Sequence, residues 1–372
     1  MSTIVFFCIP AYGHTNPTLG VVRELAARGH KVVYYSYDTM RKPIEAAGAA
    51  FVSCNAYDAE QRLSPKDGER LGRDLAFSTQ VLVDTTLALD NAILSDMRAL
   101  APDCIVADSM ALWGKLIAKK LDIPFVSSTT TFAFNRYSAK IMKQSPAQLF
   151  VMLVSMPKIG REIKRLQAAG YPVKSVLDII QNDENLDTIV YTSPEFQPCA
   201  DTFPAAHYAF VGPSIRPAEM RMEKSTQPLV YISLGTVVND QLAFYQQCVA
   251  ALADGPCRVI LSIGEQVKPA ALGTLPGNVE VHAHVDQIAV LQIADVFLTH
   301  CGMNSASEAL YFGVPLVMFP QTPEQGGVCT RVLELGAGVK LDKPEAASIR
   351  KAIDKVLSNS TYREKAAEIS KG

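Results

Sequence analysis

The feature that most limits the fold is an alternation of short β-rich runs with helical stretches, which proceeds along the chain, breaks once and starts again. The first half reads "TIVFFCI", a helix over about Thr18 to Arg28, "KVVYYS", a helix near Thr39 to Ala47 and "FVSC". It continues with a long amphipathic stretch from about Glu69 to Leu100, "DCIVAD", a helix over Leu112 to Leu121, and "PFVSST". Strands separated by helices argue for a parallel, doubly wound sheet with both faces covered. The break is "VGPSIRPAEMRMEKSTQP", Val211 to Pro228, which has three prolines, mixed charge and no clear period.

After it come "PLVYISLG", a helix around Gln241 to Ala253, "CRVILSI", "NVEVHA", a short helix near Gln287 to Gln292, and "ADVFLTH". Then follow a helix from Asn304 to Phe312, "PLVMFP", a helix at Gly327 to Leu335, "GVKL", and a helical region from Pro344 to Leu357 that continues past Thr361. The expected organisation is an N-terminal α/β domain over residues 1–212, a linker over 213–228, a second α/β domain over 229–357 and a terminal helix over 358–372. At 372 residues the length agrees, since about 150 residues per domain is typical. Two such domains imply a cleft between the carboxyl ends of their strands, where open sheets bind ligands.

With 35 basic and 37 acidic residues the net charge is -2, which gives no electrostatic case for nucleic acid. Eight cysteines without C-x-x-C spacing, several inside apolar runs, read as reduced and buried. The chain opens as a strand without a basic leader, and its purely apolar runs fall short of the ~20 residues of a membrane span. The expectation is a cytoplasmic protein, monomeric or weakly dimeric.

The densest signal is "FLTHCGMNSASEALYFGVPLVMFPQTPEQ", Phe297 to Gln325. A strand ends at His300, Gly302 follows, and a helix begins near Ser305, so backbone N–H groups and the positive helix end face the strand's end. Such a turn suits an anion, phosphate above all. Ser305 to Glu308 is also an S-x-x-E capping box, which needs no ligand, and Gly313 with Pro315 is ordinary helix-stop chemistry. A second glycine turn, Ser233 to Thr236 in "YISLGTV", adds N–H donors at a neighbouring strand end. Neither turn is a G-x-x-x-x-G-K-[ST] loop and no G-x-G-x-x-G follows a strand, which gives little support to a nucleoside triphosphatase or a dinucleotide oxidoreductase.

The order "SLGT", "HVDQ", "HCGMNSASEALYFGVPLVMFPQTPEQ", with "GHTNP" near the chain start, resembles the GT-B glycosyltransferases of the UDP-glycosyltransferase superfamily, in particular the bacterial macrolide-type branch. The resemblance covers essentially the whole chain. It implies two Rossmann-like doubly wound domains facing each other across a cleft, the first holding the acceptor and the second a nucleotide sugar. It further implies that His300 and the amides around Gly302, Asn304 and Ser305 hold the diphosphate, with Gly235 and Thr236 beside them. Glu308 takes the ribose hydroxyls, and Glu324 with Gln325 takes hydroxyls of the sugar. A carboxylate next to a diphosphate is repelled unless its oxygens accept from hydroxyls, which agrees with that division. Gln287 is retained, but the family's tryptophan and proline are replaced here by His284 and Asp286. The tryptophan stacks on the base, and an imidazole offers less area for it.

In the family the histidine of the first loop is the general base, which places His14 in that role, and "DCIVADSMALWG" supplies its acid partner, Asp108. Histidine titrates near neutrality, so it can take a hydroxyl proton as the new bond forms, while an aspartate on the other ring nitrogen fixes the tautomer. The residues alone also allow His14 as a cap of the following helix and Asp108 as the N-cap of a helix beginning near Met110. His30 reads as turn chemistry, and His207 and His282 have no evident partner. No metal-ligand spacing and no D-x-D element is present.

For the acceptor, Tyr12, Met110, Trp113, Phe132 and Phe134 are candidates for an apolar pocket, with Phe150 and Met152 of "LFVMLVSM" near a loop-rich region. Most such residues are core, and Phe132 and Phe134 alternate as if one faces in and one out. The reading implied is an inverting, metal-independent hexosyltransferase. It uses a UDP-sugar, UDP-glucose foremost, as co-substrate rather than a bound cofactor, and moves the sugar to a hydroxyl of a small apolar acceptor. A GT-B sugar-nucleotide epimerase and a non-catalytic nucleotide-sugar-binding protein are the alternatives. The terminal segment beyond about Leu357 is expected to run toward the N-terminal domain.

Overall fold

A computed structural model describes residues 1–55, 74–138, 146–174, 185–236 and 239–371. The chain forms two compact units. The first comprises Met1–Ser138, Lys143–Tyr191 and Asp201–Ser214; the second comprises Ile215–Gly372 with Ala139–Met142 and Thr192–Ala200. The first unit runs β1 (Thr3–Phe7), α1 (Tyr12–Ala27), β2 (Lys31–Ser36), α2 (Arg41–Ala46), β3 (Ala50–Ser53), α3 (Leu75–Leu100) and β4 (Cys104–Asp108). It continues with α4 (Leu112–Leu121), β5 (Phe125–Thr129), α5 (Pro146–Ala168), β6 (Thr188–Val190) and β7 (Tyr208–Phe210). Its seven strands are parallel in the order β3-β2-β1-β4-β5-β6-β7.

Alternation along β1 shows why both faces are covered. Val5 and Phe7 pack with Leu89, Ile93 and Ile117 of α3 and α4, while Phe6 and Cys8 pack with Val22, Met40 and Ile44 of α1 and its neighbours. Three features depart from the sequence reading. α1 starts at Tyr12, so His14 lies in its first turn rather than in a loop, and the helix continues through Pro17. Burial of Thr15, Pro17 and Thr18 outweighs the turn signal of G-H-T-N-P. The segment "LFVMLVSM", read as lying next to a loop-rich region, is part of the helix α5, which carries Pro157 inside it. Strands β6 and β7, three residues each, were too short to show a period. The expected start of the long amphipathic stretch at Glu69, and the side chains of Phe150 and Met152, lie outside the described residues.

The second unit runs β8 (Leu229–Ser233), α6 (Leu242–Leu252), β9 (Arg258–Ser262), β10 (Val279–His282), α7 (Gln287–Leu291), β11 (Val296–Thr299) and α8 (Met303–Tyr311). It ends with β12 (Leu316–Met318), α9 (Pro323–Glu334), β13 (Gly338–Lys340), α10 (Ala346–Ser358) and α11 (Ser360–Ile369). The parallel order β10-β9-β8-β11-β12-β13 repeats the pattern of the first sheet. Val230, Ile232, Val259, Leu261, Val296 and Leu298 point to one face and pack with α6 and α10; on the opposite face Tyr231 stacks on Phe297 at 4.6 Å between ring centres.

Two segments have tighter attachments to this unit than the sequence suggested. From Ile215 onward the expected linker belongs to the second unit, where Asp286 accepts hydrogen bonds from the Arg216 guanidinium and the Glu219 and Met220 amides. In the terminal segment Asn359 caps α11 directly after α10, α11 packs on α8, and Arg363 pairs with Asp295 at 2.9 Å. No helix among the described residues is long and apolar enough to cross a membrane.

Candidate functional site

In the first unit, β1 leads into the turn that starts α1, and β4 lies beside β1 in the sheet, so His14 and the last residue of β4 arrive at the same sheet end. His14 Nδ1 stands 2.8 Å from Asp108 Oδ2, with the histidine side chain 22% exposed and the aspartate side chain fully buried. The other carboxylate oxygen, Oδ1, accepts the Met110 amide at 2.8 Å. One oxygen thus secures the turn before α4 and the other takes the imidazole, while the helix begins at Leu112 with Ala111, not Asp108, as its N-cap. A carboxylate only accepts, so the hydrogen on Nδ1 points at Asp108 and Nε2 is the basic nitrogen. Thr130, buried just past the end of β5, places its Oγ1 3.0 Å from the same Nδ1. Sequence reasoning missed Thr130, and its only signal is the Thr-Thr-Thr run at that strand end.

Of the expected acceptor residues, Tyr12, Met110 and Phe134 are exposed, while Trp113 and Phe132 are buried. Trp113 belongs to the core between α4 and the sheet and is not available as a pocket wall, a correction that follows from its packing with Phe7, Ile117 and their neighbours.

In the second unit, β8 and β11 are adjacent, and the turns that follow them meet at His300. A Cβ on Gly235 would lie 2.6 Å from His300 Cε1, and a Cβ on Gly302 would lie 2.4 Å from His300 Nε2. Both positions must be glycine for the ring to sit where it does, since real Cβ contacts are not that short. Gly235 also adopts φ +77°, and Cys301, a buried non-glycine residue, is held at φ +66° with its amide donating to Thr299 Oγ1 at 3.2 Å. Backbone strain of this kind, about 1 kcal/mol, persists where the surroundings fix it. Burial lowers the His300 pKa to about 4 against the smaller opposing effect of a hydrogen bond with the Ser233 backbone, so the ring is neutral at neutral pH.

α8 begins at Met303 with Gly302 as its N-cap, and no side chain caps it. The expected Ser305–Glu308 capping box is absent because Ser305 is already inside the helix. Glu308 instead accepts from Gln287 Nε2 at 2.6 Å, and that nitrogen also lies 3.4 Å from Ser305 Oγ. Gln287 Oε1 accepts from Tyr231 OH at 3.1 Å. Burial pushes the Glu308 carboxyl pKa up, against the pull of the Gln287 hydrogen bond and the Arg216 charge.

Glu324 is exposed in the first turn of α9, and the buried Gln325 is committed locally. Gln325 Oε1 accepts the Gln321 and Thr322 amides at 2.8 and 3.2 Å, and Thr322 Oγ1 accepts the Gln325 amide at 3.3 Å. This is a T-x-x-Q capping box that leaves only the Gln325 Nε2 group for a ligand. Thr236 is exposed on the turn after β8, and Asn304 is in the first turn of α8. His284 is exposed before α7, with Nε2 3.5 Å from Glu265 Oε1.

The described C-terminal domain of the erythromycin biosynthesis protein CIII-like family matches residues 246–372. An uncharacterized UDP-glucosyltransferase of Bacillus subtilis (strain 168), YojK, is 32% identical over 99% of this chain and 93% of its own length. The chain belongs to the GT-B glycosyltransferases of the macrolide branch. Another relative of this glycosyltransferase is the demethyllactenocin mycarosyltransferase of Streptomyces fradiae, 33% identical over 91% of this chain and 75% of that protein. The crystal structure of the calicheamicin glycosyltransferase CalG4 superposes with a TM-score of 0.82 at 30% identity, covering 100% of this chain and 94% of that one.

Proposed function

We propose that this glycosyltransferase is an inverting enzyme that moves glucose from UDP-glucose to a hydroxyl of a small, largely apolar acceptor. The observation that carries the reading is the 2.8 Å contact between His14 Nδ1 and the fully buried carboxylate of Asp108. Nε2 of His14 takes the acceptor proton while the hydroxyl oxygen attacks the anomeric carbon from the face opposite the diphosphate, so an α-linked donor yields a β-glycoside. Asp108 stabilises the imidazolium that forms and keeps the tautomer fixed. Exposed Tyr12, Met110 and Phe134 are suited to an apolar acceptor. Relatives named for demethyllactenocin and calicheamicin support an acceptor of that kind, and the UDP-glucosyltransferase name of the Bacillus relative supports the donor.

The second unit holds the donor. The start of α8 at Gly302, Asn304 and Ser305, which no side chain caps, and the neighbouring Gly235–Thr236 turn take the diphosphate, with the neutral His300 as a further hydrogen-bond donor. As the leaving diphosphate gains charge these groups stabilise it, the role a metal ion serves in other transferases. Glu308, with Gln287 fixing one of its oxygens, accepts from the ribose hydroxyls, and Glu324 with the Gln325 amide nitrogen binds the sugar.

The test is turnover of UDP-glucose against a panel of phenolic and macrolide acceptors, with the parent and with His14→Ala, read by mass for a hexose added to the acceptor. The parent should add hexose, and the variant should lose at least about a hundredfold in rate while binding UDP as the parent does. A parent that binds UDP and never transfers, or that alters UDP-glucose without acceptor, would overturn the transferase reading.

A further inference from the structure

His14 Nδ1 has two neighbours of different chemistry. Asp108 Oδ2 at 2.8 Å can only accept, whereas the Thr130 hydroxyl, with Oγ1 at 3.0 Å, can accept or donate. The sheet builds this pairing. β4 and β5 run in register with Asp108 beside Ser128, and side chains alternate along a strand, so Ser128 and then Thr130 fall on the face that Asp108 occupies. Thr130 is 3% exposed, and its hydroxyl has the imidazole as its one partner among the described residues.

Which neighbour prevails decides whether His14 can act. With the hydrogen on Nδ1, the ring donates to the carboxylate and Nε2 is basic; if Thr130 donates to a bare Nδ1, the hydrogen sits on Nε2 and no lone pair is left for a substrate proton. A charge-assisted hydrogen bond is roughly twice as strong as a neutral one, so Asp108 prevails and Thr130 presents its oxygen, not its hydrogen, to Nδ1. Two further titratable groups act on the Asp108 carboxylate, Cys8 just past β1 and Tyr191 just past β6, and burial pushes both up, so they stay neutral.

We propose that Thr130 is a positioning residue for His14: its oxygen is the second hydrogen-bond acceptor around the Nδ1 hydrogen, fixes the ring at a second point and stabilises the imidazolium once Nε2 has taken the substrate proton. This rests on the reading of His14 as the base. The same geometry makes the Thr130 hydroxyl harmful when Asp108 is altered. Asp108 Oδ1 accepts the Met110 amide at 2.8 Å, so in Asp108→Asn the one remaining oxygen stays on that amide and the NH2 group turns to the ring. Nδ1 then faces two donors, the hydrogen moves to Nε2, and Thr130 strengthens that preference.

The test is hexose transfer from UDP-glucose by the full chain, read as kcat, KM and the pH profile of kcat/KM with the acceptor that the parent turns over fastest. Thr130→Val keeps the shape of the side chain and removes the hydroxyl, whereas Thr130→Ser keeps the hydroxyl. Thr130→Val should lower kcat about three- to tenfold with the KM for UDP-glucose within about twofold of the parent. It should also move the acid limb of the profile about half a pH unit lower, because an imidazolium that loses a partner gives up its proton more readily. Thr130→Ser should keep the parental limb. In the Asp108→Asn background Thr130→Val should raise the rate or leave it unchanged, the reverse of its effect on the parent. A packing role would give the same loss in both backgrounds with an unmoved limb, and a contact with the donor would raise the KM for UDP-glucose. Either result, or a Thr130→Ser variant that behaves as Thr130→Val does, overturns the assignment and leaves His14 as the base. A parent without transfer, or a His14→Ala variant as active as the parent, overturns the base reading and this one with it.

Discussion

The two glycines around His300 make a prediction that separates steric from backbone causes. In Gly302→Ala the new Cβ would stand 2.4 Å from His300 Nε2, 3.1 Å from Cε1 and 3.3 Å from Cδ2. Since non-bonded carbon contacts are comfortable near ~3.5 Å, the ring must move by about 1 Å. Overpacking of this kind costs about 1–3 kcal/mol, and replacing a glycine N-cap by alanine adds about 0.5–1 kcal/mol. Gly302 itself sits at φ -63° and ψ 145°, which any residue adopts, so the ring and the N-cap position, not the backbone angles, favour glycine there. In a His300→Ala background the cost of Gly302→Ala should fall to the capping part alone, leaving a coupling of about 1–2 kcal/mol. Gly235→Ala should behave differently, because its φ of +77° retains about 1 kcal/mol of strain after the ring is gone. The assay is urea unfolding of the four variants of each cycle at pH 7, with the transition of the second unit followed by amide exchange in α8. A Gly302–His300 coupling below about 0.5 kcal/mol would refute the claim that these glycines exist to admit the imidazole.

His300 also predicts a pH dependence. Its pKa falls from 6.5 in the unfolded chain to about 4 in the fold, so between those values the unfolded state binds more protons and stability rises with pH. That difference corresponds to about 3 to 4 kcal/mol of stability, fully present above pH 6.5 and lost as pH falls toward 4. Urea unfolding of parent and His300→Asn at pH 7 and pH 4.5 should show the parent losing more on acidification, and equal losses would remove the burial argument. The α9 capping box predicts that Thr322→Ala lowers stability by about 1 kcal/mol with UDP affinity within twofold of the parent. A large loss of UDP affinity without loss of stability would mean that Thr322 contacts the ligand instead.

Much of the fold was legible because strand and helix periods differ and alternate regularly: "KVVYYS" and Leu112 to Leu121 match β2 and α4 residue for residue. What escaped depends on tertiary structure. G-H-T-N-P has every local mark of a turn, yet it is the first part of α1, because buried neighbours and the Asp108 carboxylate hold it there. The T-x-x-Q box at Thr322 was readable in the letters but was overshadowed by the S-x-x-E at Ser305, which fails because its helix begins two residues earlier. Asp286 read as a missing proline, since nothing in a linear sequence says that a carboxylate will meet an arginine 70 residues before it.

The repeated strand order explains why the candidate groups lie where they do. In each sheet the order reverses direction between the first strand and the fourth, β1 and β4 in one and β8 and β11 in the other, and an open crevice forms at the carboxyl ends of that pair. His14 with Asp108 and Gly235 with His300 occupy the same topological position in the two units. The fold thus supplies the location twice, and the side chains decide what is done there. Next to a buried carboxylate the imidazole of His14 is held in one tautomer with Nε2 as its basic nitrogen, which suits proton removal. Between two glycines the imidazole of His300 is kept neutral by burial, which suits hydrogen-bond donation to an anion instead. The neighbouring strands β11 and β12 both lead into helices, but Thr322 and Gln325 close the N-terminus of α9 while the Gly302 cap leaves that of α8 without a side-chain partner. The lack of a side-chain cap at the α8 end supports assigning the diphosphate to it.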